Sequence, residues 1–124
     1  MTRPLPEKAC SRCGRRMTWR RKWAKNWASV KFCSQDCRRQ GVTELDGELE
    51  RRIVDLLSRR SGSICPSEAA RAAVPDTWRV HMEDARNAGR RLAADDRVVF
   101  TQQGRTVDPS HAKGPVRLAR GPAF

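Results

Sequence analysis

The sequence lacks any apolar run approaching the length of a membrane-spanning helix. Its first nine residues contain two prolines and no apolar stretch, so no signal peptide is read there. Histidine is scarce: His81 and His111 stand alone, each far from the other. No Ser/His/Asp or Cys/His arrangement, no phosphate-cradling glycine loop and no paired carboxylate site can be assembled from these residues. These absences exclude the common kinds of catalytic site, and we expect a cytoplasmic protein that is not an enzyme and has neither membrane nor small-molecule partner. There is no internal repeat. A chain of 124 residues, 38% hydrophobic and 32% charged, cannot fill two large cores. If it holds two modules, one needs a staple such as a metal ion.

What is abundant is positive charge. The formal net charge is +12, unevenly spread. Residues 1–42 carry 12 Lys/Arg against two acids, Glu7 and Asp36, whereas residues 43–124 carry 14 against 12. A zinc ion on four thiolates would leave the first part at about +8. Such a field suits nucleic acid, DNA rather than RNA, or an acidic protein partner.

Four of the five cysteines lie in the basic part, as Cys10-x2-Cys13 and Cys33-x3-Cys37, nineteen residues apart. In a reducing compartment, two close pairs separated by a loop-length gap are the pattern of a tetrahedral S₄ site. Gly14 after Cys13 lets the backbone turn so that amides face the sulfurs. Phe32 to Arg38 reads as a strand end entering a helix, with Cys33 and Cys37 on one face and thiolate charge at the helix start. This points to one structural zinc in a treble-clef or zinc-ribbon-like module. An iron–sulfur cluster uses the same ligand type. A redox pair at Cys10 and Cys13 would want a thioredoxin-like βαβ pattern that is not there.

Trp19, Trp23 and Trp27 are spaced by four and would form one stripe on a helix, as the module's core or as a platform for unpaired bases. Phosphate contacts are expected from Arg15, Arg16, Arg20, Arg21, Lys22, Lys25, Lys31, Arg38 and Arg39. The parsing is then 1–9 as a disordered lead, 10–42 as the zinc module, 43–119 as a second domain and 120–124 as a flexible tail. Residues 109–124, rich in Pro and Gly, allow at most one short strand.

In the second domain Thr43 can cap a helix over about 44–60. Leu45, Leu49, Ile53, Leu56 and Leu57 form its core face, and Glu48 and Arg52 can pair across a turn. Ile64 is a short strand residue. Cys65-Pro66-Ser67-Glu68 opens a second helix through a capping box, ending near Val74. Asp76 or Thr77 caps a longer stretch from about Trp78 to Asp95 that can break near Met82. Arg97 to Gln102 and Arg105 to Asp108 form a hairpin about Gln103-Gly104. This order is that of a winged helix-turn-helix. On that reading Arg79, Arg86, Asn87 and Arg90 face a DNA groove and Arg105 sits on the wing. The competing reading is a solvated arginine face paired with nearby acids. Cys65 reads as a packing residue; a thiol-sensor role would need it, or the zinc site, to respond to oxidant.

Cys10-x-x-Cys13-Gly14-Arg15, Thr18-Trp19-Arg20, Lys22-Trp23, Trp27, Val30-Lys31 and Cys33-Ser34-x-x-Cys37-Arg38-Arg39 resemble a small uncharacterised bacterial family of zinc-ribbon-like modules. That resemblance implies metal binding and brings no established activity. Ile64-Cys65-Pro66-Ser67-Glu68-x-Ala70-Arg71, Trp78-Arg79, Met82, Arg86, Leu92, Gly104 and Gly114-Pro115-x-Arg117 resemble a second uncharacterised bacterial domain family, which implies the winged-helix fold over about 45–119. The family pattern has proline where this chain has Glu83.

Overall fold

A computed structural model describes residues 5–124. The chain is a small mixed α/β structure with two hydrophobic cores, one around the cysteines and one in the C-terminal two thirds. No helix among the described residues is long and apolar enough to cross a membrane.

The C-terminal core begins with α2, Glu44–Arg59, which follows a short helix α1, Gln35–Gln40. Thr43 and Asp46 close a reciprocal capping box at 3.3 and 2.8 Å, tying down two of the helix's orphan amides. Glu48 pairs with Arg52 at 2.7 Å, as the spacing predicts. Leu49, Ile53 and Leu57 turn their stripe wholly inward. Pro66 and the Glu68 box start α3, Pro66–Ala73. Its Ala69 and Ala70, with Ala85 and Ala88 of α4 (Met82–Ala94), are buried small residues that let the helices approach closely. The expected break near Met82 is present despite Glu83: Trp78–His81 is a 3₁₀ turn, and Thr77 flanks it without a side-chain cap.

Behind the helices, β3 (Val98–Gln102) is flanked by β4 (Arg105–Val107) and β5 (Arg117–Arg120), all antiparallel. Gln103 and Gly104 both have positive φ, 51° and 79°, the combination a two-residue hairpin turn of the twisted kind requires. Ile64 exchanges two 2.8 Å backbone hydrogen bonds with Leu118 and so extends the sheet beyond β5. Phe100 and Leu118, paired on this sheet, fill the space under Gly89, where a Cβ would come within 3.2 Å of both.

Three expectations need correction. Residues 7–9 of the expected disordered lead form β1, Glu7–Ala9, because they pair with β2, Arg16–Thr18; residues 1–4 of that lead lie outside the described residues. The tryptophans do not share a helix. Trp19 follows β2, while Trp23 ends one 3₁₀ turn (Arg21–Trp23) and Trp27 begins another (Trp27–Ser29). These tight turns give the tryptophans a compact cap over the cysteines rather than a straight stripe. The expected flexible tail is tied back: Gly121 donates to the Arg97 carbonyl and Ala123 to that of Asp96, both at 2.8 Å, while Arg120 lies over the Phe124 ring.

Candidate metal centre and basic surface

Two turns bring the cysteines together. After β1 the chain reverses over Cys10–Gly14: the Gly14 amide donates to the Cys10 carbonyl at 3.0 Å and the Cys10 amide to that of Arg15 at 2.8 Å. Gly14 takes φ +76°, a conformation other residues adopt only with strain. On the other side Ser34 caps α1, accepting from the Cys37 amide at 3.2 Å, and the helix turns Cys37 inward toward Cys33. The Ser11 amide donates to the Lys31 carbonyl at 2.7 Å, which ties the two turns together.

The four sulfurs all lie within 4.8 Å of one another, and none is in a disulfide. The Cys13–Cys33 and Cys33–Cys37 Sγ separations are 3.5 and 3.7 Å. A tetrahedron with metal–sulfur bonds of about 2.3 Å has edges of about 3.8 Å. The donor set therefore fits a metal ion that takes four thiolates. The electrostatics agree. The Cys13 thiol donates to Cys10, and with the amides around it this holds Cys10 well below the usual thiol range. Cys13, the donor in that pair, is pushed up, and burial pushes Cys33 up. Four thiols this close cannot all ionise without a cation among them. The Cys33 amide also points at Cys10 Sγ at 3.4 Å, a hydrogen bond that favours charge on sulfur.

The basic side chains divide into two groups. Arg20, Arg21, Lys22, Lys25, Lys31 and Arg38 are exposed, and among the described residues none has a carboxylate oxygen within 4.0 Å. Arg20 and Lys22 reach over the Trp23 ring, at 5.7 and 5.0 Å from its centroid. Arg39 pairs with Asp36 at 3.0 Å, Arg15 approaches Glu83 at 3.9 Å, and Arg16 is bound by Asp108. In the C-terminal part Arg105 is exposed beside the hairpin turn, and Arg79 is exposed with its guanidinium 5.1 Å from the Trp78 centroid.

The remaining residues expected to face a groove do not. Asn87 and Arg90 are 2% and 4% exposed, because the cysteine turn Cys10–Gly14 packs on this stretch of α4. Arg90 Nε donates to the Cys13 carbonyl at 2.7 Å, and its Nη2 reaches Glu83 at 2.7 Å and Asn87. A Cβ on Gly14 would come within 2.5 Å of the Arg90 backbone, so only glycine allows this approach. Arg86 sits half-buried 3.9 Å from Glu83, with its Nε buried and unpaired. Arg79 is also out of the arc shared by Arg86 and Arg90, because the 3₁₀ turn changes the helical phase at Met82.

Several residues of this packing went unrecognised in the sequence. Arg91 donates to the Arg12 carbonyl and, at 3.0 Å, to that of Asp46; Arg12 pairs with Asp84 at 3.5 Å. Lys8 donates to the carbonyls of Trp27 and Val30. Their only sequence signal is the run Gly89-Arg90-Arg91 on a helix otherwise facing a core, and spacing alone cannot say what such arginines meet.

Arg16 and Asp108 form a further tie at the edge of this packing. The Arg16 guanidinium, with His111 second, holds the Asp108 carboxyl well below the usual carboxylate range. A lowered folded pKa stabilises the folded form above the ordinary value of about 3.9, and that contribution is lost as pH falls below it. The native carboxylate should therefore stay ionised, and the tie closed, to well below about pH 4, where a free carboxyl is already protonated, and the Asp108 end should loosen only on stronger acidification. Backbone amide shifts of residues 108–111 would report it, and Arg16→Ala should move that titration up toward the ordinary carboxylate range.

A family model described as protein of unknown function (DUF3253) matches residues 46–121. A second, described as an uncharacterized protein conserved in bacteria (DUF2256), matches residues 2–40. No curated protein matches the chain.

Proposed function

We propose that this chain, which belongs to the DUF3253 family of proteins of unknown function and carries a DUF2256 module ahead of it, is a small zinc-containing nucleic-acid-binding protein. The observation that carries this reading is the set of six exposed cations of the metal module without a carboxylate partner among the described residues, two of which, Arg20 and Lys22, lie over the Trp23 ring. Phosphate contact needs cations that are not already neutralised, and releasing counterions from the nucleic acid then drives binding.

The finer fold reading goes with it. A tight cysteine turn paired with cysteines at a helix start supports a treble-clef-like zinc site. Three helices, an Ile64 bridge and a hairpin sheet support a winged helix. Four thiolates in a tetrahedral arrangement favour zinc over harder ions. The metal is structural, since all four positions are taken by cysteine and none stays open for substrate.

One part of the winged-helix reading changes. Because the cysteine turn covers Asn87 and Arg90, α4 does not insert its middle into a major groove. The grip then lies on the metal module, and the C-terminal domain serves as the body that holds it. Binding of metal-loaded protein to labelled duplex DNA, single-stranded DNA and structured RNA tests this. Salt-dependent binding to at least one of them at physiological ionic strength is expected. Failure with all three, together with an acidic protein that co-purifies through nuclease treatment, would replace this reading with that of a docking adaptor.

A further inference from the structure

Beside the metal site, Lys22, Trp23, Asn26, Lys31, Phe32 and Arg38 line a groove of about 330 Å³ between the first 3₁₀ turn and the start of α1. That is the lower end of the size range of small-ligand clefts. Its two aromatic rings are half-buried and its three cations are exposed. We infer that this groove takes an unstacked base of single-stranded nucleic acid, held against Trp23, with Lys22, Lys31 and Arg38 on the flanking phosphates. This deepens the nucleic-acid reading and rests on it.

Cations alone would bind any polyphosphate chain, duplex or single strand. In a duplex, though, the base faces are stacked inside the helix, and a protein meets only base edges in the grooves and the sugar–phosphate ridges. An aromatic ring recessed in a groove meets a base only if that base has left its stack. Trp27 packs beside Trp23, with ring centroids 5.6 Å apart, and holds it in place without needing an induced fit. Asn26 supplies an amide at the wall that can hydrogen-bond a base edge. The element that would have read a duplex, the middle of α4, is covered. Stacking on an aromatic platform with cations alongside is the usual chemistry of single-strand binding, and it tolerates any sequence.

The groove wall is also part of the metal site. The segment Lys31–Phe32 runs into Cys33, and the Lys31 carbonyl accepts from Ser11 in the cysteine turn. The test is therefore done on metal-loaded protein. Fluorescence anisotropy would compare oligo(dT), oligo(U), an abasic deoxyribose–phosphate chain of the same length, and duplex DNA, at matched salt. The base-bearing single strands should bind about tenfold or more tighter than the abasic chain, with quenched tryptophan emission. Their order would say which nucleic acid is the source of the strand. Lys31→Ala should weaken all four probes together and leave the ratio of base-bearing to abasic binding unchanged. Trp23→Phe, chosen because Trp23→Ala could unsettle the module's small core, should narrow that ratio. Equal binding of abasic and base-bearing chains, or tighter binding of duplex, would overturn the base site and leave the phosphate grip standing. Absence of binding by all four would overturn both.

Discussion

Stripping the proposed zinc from this protein, by chelation or by Cys13→Ser, is expected to unfold the N-terminal module while the C-terminal core stays folded. The reason lies in the two cores. The C-terminal one buries thirteen residues, among them Leu49, Ile53, Leu57, Phe100 and Leu118. The N-terminal one buries four, and three of those, Cys10, Cys13 and Cys37, belong to the proposed ligand set; Met17 is the fourth. Half-buried Trp23, Trp27, Val30 and Phe32 cover the sulfurs but do not make a core of their own. Binding of a structural zinc is worth roughly 10–16 kcal/mol in small modules of this kind, far more than such a core can offer. Metal loss also brings four close thiols into conflict over charge. Native mass spectrometry should find about one metal per chain. After its removal, NMR amide signals from residues 7–40 should collapse while those of α2 and β3 remain dispersed. Dispersed signals for Met17 and Trp23 in fully metal-free, reduced protein would contradict this.

Replacing Arg90 with alanine should cost about 2–3 kcal/mol and loosen the contact between the two modules. Arg90 is a buried cation whose charge is met by Glu83 and whose Nε serves the Cys13 carbonyl. Removing it leaves that buried carbonyl without a donor, while the backbone on which Gly14 rests is unchanged. Hydrogen bonds to charged groups are among the more valuable ones, and a buried partner left behind is costly. Glu83 is half-exposed, so its share of the loss is softened by solvent. The expected signature is twofold: a lower denaturation midpoint, and faster proteolysis near Gly41–Thr43, where the modules join. Arg79→Ala, which removes an exposed guanidinium from the Trp78 face, is the comparison and should change stability by less than about 0.5 kcal/mol.

That contrast shows how far the sequence could be read. Helix starts were legible because they are local: the Thr43 cap and the Cys65–Glu68 box are chemistry within four residues, although Asp46, which completes the Thr43 box, was not read. The Gln103-Gly104 turn and the cysteine set were legible for the same reason, since spacing and residue type limit what each can do. The tryptophan stripe failed because a spacing of four suits a helix only where the backbone is helical. Residues 19–29 spend their hydrogen bonds on 3₁₀ turns instead. Arg90 and Asn87 failed differently. Their helix was correctly placed, but what covers it comes from residues 77 positions earlier in the chain. No periodicity carries that information; only the docked structure separates an arginine that waits for phosphate from one that holds a carbonyl.

The most informative measurement is the salt dependence of nucleic-acid binding for the metal-loaded protein and for a variant with Arg20, Arg21 and Lys22 all changed to alanine. These three residues lie outside both cores, so the variant should keep its fold and its metal. If the exposed cations grip phosphates, affinity falls for every sequence alike and the slope of log K against log salt flattens by about two, since each single-strand phosphate that a cation neutralises contributes near 0.7. An unchanged affinity and an unchanged slope would contradict the reading, and the basic face around Trp23 would then have to meet something other than nucleic acid.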